Sequence, residues 1–99
     1  MTEMTQSAAG ERAHLLDVAF LYTGTNETAR FAVPGDVTLQ QAWDMAYDEL
    51  TETRQPADIL EARDTGAPLT SDLDKTIRYV KEHLVHDLRF QIHTEKGGA

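Results

Sequence analysis

Lys96-Gly97-Gly98-Ala99 is the stretch whose residue types and order carry the most specific chemistry in this sequence. A chain-terminal carboxylate is a poor acyl donor; amide formation from it requires adenylation and commonly transfer to an enzyme cysteine as a thioester. Such a donor must thread a narrow catalytic cleft. Gly97 and Gly98 suit that task because they lack Cβ atoms, which permits close backbone approach and conformations closed to other residues. The same three small residues also describe an ordinary frayed terminus, so the pattern takes its meaning from what precedes it.

The other chemistry-bearing residues have plainer readings. His83 and His86 form an H-x-x-H spacing with His93 nearby; metal binding needs ligands that converge in space, and exposed or capping histidines are the expectation. Asp17, Asp44 and Asp48 suggest acid–base work, but nothing in the spacing sets two of them around a pocket. Trp43 and Tyr47 are expected in the core rather than on a binding surface. The chain contains no cysteine, which excludes disulfides, thiolate ligands and a cysteine nucleophile of its own. Any thiol chemistry comes from a partner. No catalytic residue, metal or cofactor is expected, and the chain is not expected to be an enzyme.

The elements that position the tail follow from periodicity. Leu16, Val18 and Phe20 alternate along a first strand, Thr23-Gly24-Thr25-Asn26 supplies a turn, and Ala29, Phe31 and Val33 alternate along a second. Pro34-Gly35-Asp36 ends this hairpin. Thr38 is a helix N-cap with Gln41 three residues on, and Leu39, Ala42, Trp43, Ala46 and Leu50 define one apolar face of a helix from about Leu39 to Glu52. Asp44, Asp48 and Glu49 fall on its solvated face. Gln55-Pro56-Ala57-Asp58 breaks the pattern, Ile59–Arg63 reads as a short strand with Leu60 and Ala62 inward, and Asp64-Thr65-Gly66-Ala67-Pro68 is a turn. Leu69 fits a very short strand, and Ser71–Ile77 a looping segment with one helical turn. The run Leu84–His93 reads as the last strand, with Leu88, Phe90 and Ile92 inward.

These boundaries give an N-terminal tail at 1–12, one domain at 13–93 and a C-terminal tail at 94–99. Residues 1–12 are polar and without periodicity, which predicts disorder. Ninety-nine residues with 40% apolar content suit one core and a stability of roughly 5–15 kcal/mol. Seventeen acidic against nine basic residues leave a charge of −8, which disfavours nucleic acid as a partner. The N-terminus lacks the basic start and apolar run of a signal peptide, and no segment reads as a membrane span, so a cytoplasmic location is expected. Asn26-Glu27-Thr28 matches the glycosylation triplet, which matters only in a secreted chain.

From about His14 to Gly98, the order hairpin, helix, short strand, tight turn, irregular segment, last strand and diglycine tail resembles the ubiquitin family. Val33 to Leu39, with Thr38 as cap, is similar to ubiquitin's passage from second strand into helix. Leu39, Ala42 and Ala46 match its core spacing, and Thr65-Gly66-Ala67-Pro68-Leu69 is similar to the turn after its third strand. The resemblance implies an α+β β-grasp fold, a mixed sheet of four to five strands packed on one main helix. It also implies a protein modifier processed at the Gly98–Ala99 bond, recognised through Gly97 and Gly98, and conjugated through Gly98.

The implied partners are an E1-like activating enzyme, an E2-like conjugating enzyme, a JAB-type or other peptidase and a target protein. Bacterial proteins of this kind occur beside such enzymes, and some of those systems defend against phage. Lys75, Lys81 and Lys96, the lysines available, are the candidate acceptors for chain formation. Where ubiquitin carries its apolar receptor patch, the aligned positions include Arg63 and Gln91. The residues before the glycines are Thr94, Glu95 and Lys96, so a dedicated set of enzymes is implied. A sulfur carrier with a C-terminal thiocarboxylate is the alternative; it shares the fold and the activation step but typically ends at the second glycine. A non-conjugated β-grasp interaction module is the third reading.

Overall fold

The computed structural model describes residues 15–94. The expected N-terminal tail at 1–12 and the segment 95–99, which contains Lys96, Gly97, Gly98 and Ala99, lie outside the described residues.

Alternation builds the first hairpin. Strand β1 (Leu15–Tyr22) pairs antiparallel with β2 (Glu27–Pro34), with Phe20 opposite Ala29 and Val18 opposite Phe31. Val18, Phe20, Tyr22, Ala29 and Val33 are buried on one face of it, while the alternate residues turn the other way. The hairpin closes through the Asn26 N–H, which donates to the Tyr22 carbonyl at 2.8 Å. Asn26 adopts φ 63°, a conformation that asparagine tolerates better than most residues.

Helix α1 (Leu39–Leu50) begins as the Thr38/Gln41 pattern predicts. The Gln41 N–H donates to Thr38 Oγ1 at 3.1 Å, and the Thr38 N–H donates to Gln41 Oε1 at 2.8 Å, which satisfies two backbone donors at the helix start reciprocally. Leu39, Ala42, Trp43, Ala46, Tyr47 and Leu50 are buried, and Asp44, Asp48 and Glu49 are exposed. The helix ends at Leu50, two residues short of the expected Glu52. Thr51 there adopts φ 53°, and the Glu52 N–H closes back onto the Tyr47 carbonyl at 3.0 Å.

Strand β3 (Ile59–Ala62) buries Leu60 and Ala62, as their alternation requires. Leu69 donates its N–H to the Leu60 carbonyl at 2.8 Å, and a bridge joins Glu61 to Pro68. A 3-10 turn at Thr70–Asp72 follows.

Two boundaries differ from expectation. A second helix, α2 (Ile77–His83), stands where only the end of an irregular segment was expected, with Thr76 Oγ1 accepting from the Tyr79 N–H at 3.1 Å. Seven residues are too few for a helix to persist alone. Tertiary bonds hold its start: Ile77 N–H to the Val37 carbonyl at 2.8 Å and Arg78 N–H to the Gly35 carbonyl at 2.9 Å. Strand β4 is consequently shorter than expected (Arg89–His93), because Leu84 and Val85 both donate their N–H groups to Val80 and round off α2.

The sheet order is β2-β1-β4-β3, with β1 and β4 parallel and the other pairs antiparallel. One face is covered by α1 and by Ile77 and Val80 of α2, and the core runs between these layers. Phe20 lies at its centre, stacked on Phe90 at 4.9 Å and Phe31 at 5.8 Å between ring centroids. This is an α+β, β-grasp-like architecture: a four-stranded mixed sheet, one main helix and a short second helix.

Candidate functional site

The parallel pairing of β1 and β4 fixes where the chain leaves the sheet. Because Tyr22 pairs with Ile92, β4 ends beside the turn of the β1–β2 hairpin. The Thr23 N–H donates to the Ile92 carbonyl at 3.1 Å, and the Thr94 N–H donates to Thr23 Oγ1 at 3.1 Å. Thr94 is buried. The buried part of the described chain therefore includes Thr94, one residue past the expected boundary at His93, and in the sequence Glu95 and Lys96 stand between it and Gly97.

The remaining candidates are dispersed. Lys81 is exposed on α2, and Lys75 is half-buried before that helix, its ammonium 5.6 Å from the centre of the Tyr79 ring. His83, His86 and His93 are exposed, on the last turn of α2, in the following bend and at the end of β4. His83 rests against the Tyr79 ring at 4.5 Å. Among the described residues no three His, Cys, Asp or Glu side chains come together in a way that can hold a metal ion.

Trp43 and Tyr47 are core residues, at 1% and 5% exposure. They also belong to a polar cluster, buried at Trp43, Tyr47 and Asp58 and exposed at Arg54, that sequence reasoning missed. Tyr47 Oη donates to Asp58 Oδ2 at 2.7 Å, the same oxygen accepts the Gln55 N–H at 3.0 Å, and the Arg54 guanidinium lies 3.8 Å from the Trp43 ring centroid. Burial, and then the Asp58 carboxylate, push the Tyr47 phenol well above its ordinary pKa. This cluster ties α1 to the loop that enters β3.

The sheet face opposite α1 is polar. Arg63 is exposed there, and Gln91 is half-buried with its Nε2 donating to Glu61 Oε1 at 3.4 Å. An open cleft of about 710 Å³ borders this face, between the first half of β1, the middle of β2 and the α2–β4 connection. Asp17 lines it beside Asp87, Arg30, Lys81, His86 and Arg89. Asp44 and Asp48 lie elsewhere, on the exposed side of α1. No helix among the described residues is long and apolar enough to cross a membrane.

No protein-family model matches the chain, and no curated protein matches it at a significant level.

Proposed function

We propose that this chain is a ubiquitin-like protein modifier, acting in the cytoplasm and serving a bacterial conjugation system of the antiphage kind. The observation that carries the reading is the exit of the chain from the sheet. Thr94 is pinned to Thr23 beside the hairpin turn, and a diglycine follows after Glu95 and Lys96. A donor group a few residues beyond a rigid sheet can enter an enzyme cleft while the domain docks outside it. The β-grasp-like arrangement supports the same reading.

The chemistry follows from the carboxylate. A JAB-type or other peptidase adds water across the Gly98–Ala99 bond and releases alanine. The Gly98 carboxylate attacks the α-phosphate of ATP, pyrophosphate leaves, and an acyl adenylate forms on an E1-like enzyme. A cysteine thiolate of that enzyme displaces AMP to give a thioester, which exchanges onto an E2-like enzyme. An amine of the target attacks the thioester carbonyl and expels the thiol, forming an amide. The modifier supplies the acyl group and its partners supply the catalytic groups.

The test is the intact mass of the protein recovered from its native host. Loss of alanine alone supports the modifier. Loss of alanine with oxygen replaced by sulfur at the terminus supports the sulfur carrier instead, and a wholly untouched chain in an active system contradicts both.

A further inference from the structure

The polar sheet face carries a row of arginines that only the strand order brings together. Arg30 on β2 is the ladder partner of Ala19 on β1, and Ala19 is the partner of Arg89 on β4. Arg63, which follows β3, donates its N–H to the Arg89 carbonyl at 3.0 Å and so continues the row. Their neighbours Ala29, Phe90 and Ala62 are buried beneath, so by the pleat all three arginines stand on the opposite, open face. All three are exposed.

These cations sit on a chain of charge −8, and although Asp17 and Asp87 line the same cleft beside Arg30 and Arg89, no carboxylate among the described residues forms an ion pair with any of the three. The ion pairs among the described residues are Arg54 with Asp44 and His83 with Glu82. Glu61, one row away, accepts from Gln91. The row is thus three cations in line across the sheet on an acidic molecule, with the small Ala19 as the floor between Arg30 and Arg89 and the carboxylates of Asp17, Glu61 and Asp87 flanking it.

The geometry points to a docking surface for an extended acidic peptide segment of a partner protein, laid across the strands along Arg30, Ala19, Arg89 and Arg63. The dimensions match. Four strands at about 4.8 Å spacing place Arg30 and Arg63 about 14 Å apart, and an extended peptide presents carboxylates at alternate positions about 7 Å apart, so three of them span the row. Guanidinium groups pair with carboxylates through two parallel hydrogen bonds. A nucleic acid fits less well, since its phosphates continue past the row onto acidic surface. The surface is separate from the tail chemistry and does not depend on it.

The test titrates the isotopically labelled full chain with a short fluorescent peptide bearing three glutamates at alternate positions, with its lysine counterpart and with single-stranded oligothymidylate. The acidic peptide should shift the amide signals of Ala19, Arg30, Arg63 and Arg89, and added salt should weaken it. The triple variant R30E/R63E/R89E should lose about tenfold or more in affinity, because it removes three ion pairs and sets like charges against the peptide in their place. Lys75→Glu, away from the row, and Gly98→Val, in the tail, should change it by less than about twofold. The milder triple variant R30Q/R63Q/R89Q serves if charge reversal lowers the melting temperature. No binding of the acidic peptide, equal binding by the folded triple variant, or tighter arginine-dependent binding of the oligothymidylate overturns the proposal.

Discussion

The Tyr47 hydroxyl donates to the Asp58 carboxylate at 2.7 Å, joining the last turn of α1 to the residue before β3. Both residues are almost wholly buried, so this bond spans two segments inside the protein, where an unmade partner is expensive.

Tyr47→Phe removes the donor and leaves Asp58 Oδ2 with the Gln55 N–H alone. The expected loss is about 1–3 kcal/mol of stability, read as a lower urea midpoint with an unchanged slope. The phenol also sets a pH signature. Its pKa is raised in the folded state by burial and by Asp58, so the unfolded chain gives up this proton first, near pH ~10. The contribution is fully present below that pH and is lost progressively above it. Stability of the wild type should therefore fall more steeply above about pH 10 than that of Tyr47→Phe.

Phe90→Ala should be among the most damaging single changes. The ring is fully buried and stacks on Phe20 at 4.9 Å. Truncation leaves a cavity where α1 cannot close down on the sheet, at a cost of about 3–5 kcal/mol, a large part of a stability of roughly 5–15 kcal/mol. Phe31→Ala, at a half-exposed ring, should cost distinctly less. Thermal unfolding followed by circular dichroism separates the two.

Thr38→Ala removes the Oγ1 that accepts from the Gln41 N–H, while the backbone N–H of residue 38 can still donate to Gln41 Oε1, and should cost about 1 kcal/mol. A loss near zero would mean that the bridge between Thr38 and Thr76, rather than the cap, fixes the start of α1.

That cap shows why much of the fold was legible. Thr38 and Gln41 interact three residues apart, and the alternation of Val18, Phe20, Ala29 and Val33 needs no knowledge of distant partners. The helix at Ile77–His83 was not legible. Only Ile77 and Val80 of it are buried, too few to show a period, and its first turn hangs from Gly35 and Val37, some forty residues back in the sequence. Leu84 and Val85 misled for the same reason: apolar residues closing a short helix read like the start of a strand. Asp58 resembles any loop carboxylate until Tyr47 is seen to face it. The arginine row needed the order β2-β1-β4-β3, since Arg30, Arg63 and Arg89 share no local pattern. Gly97 and Gly98 lie outside the described residues, and the roles proposed for them rest on residue order and type alone.

Gly98→Val should leave the fold intact and abolish conjugation. Gly98 follows the last apolar strand residue, Ile92, by six positions, so its substitution should change stability by about 0.5 kcal/mol or less, the range usual for surface positions. A β-branched side chain, however, restricts the backbone and meets the walls of a cleft shaped for hydrogen. Melting curves of the two chains should superimpose while the variant's thioester yield with the cognate activating enzyme and ATP falls to background.

Lys96 stands immediately before the diglycine and gives conjugation a mass signature. Trypsin cleaves after lysine, so a target joined to Gly98 keeps Gly97 and Gly98 as a branch on its acceptor amine after digestion. The decisive measurement is mass spectrometry of tryptic peptides from the native host, comparing cells that carry the wild-type chain with cells that carry Gly98→Val. Conjugation through Gly98 should give diglycine-branched lysines in the first and none in the second. Identical sets of branched peptides in both, or none in either while the system is active, would contradict it.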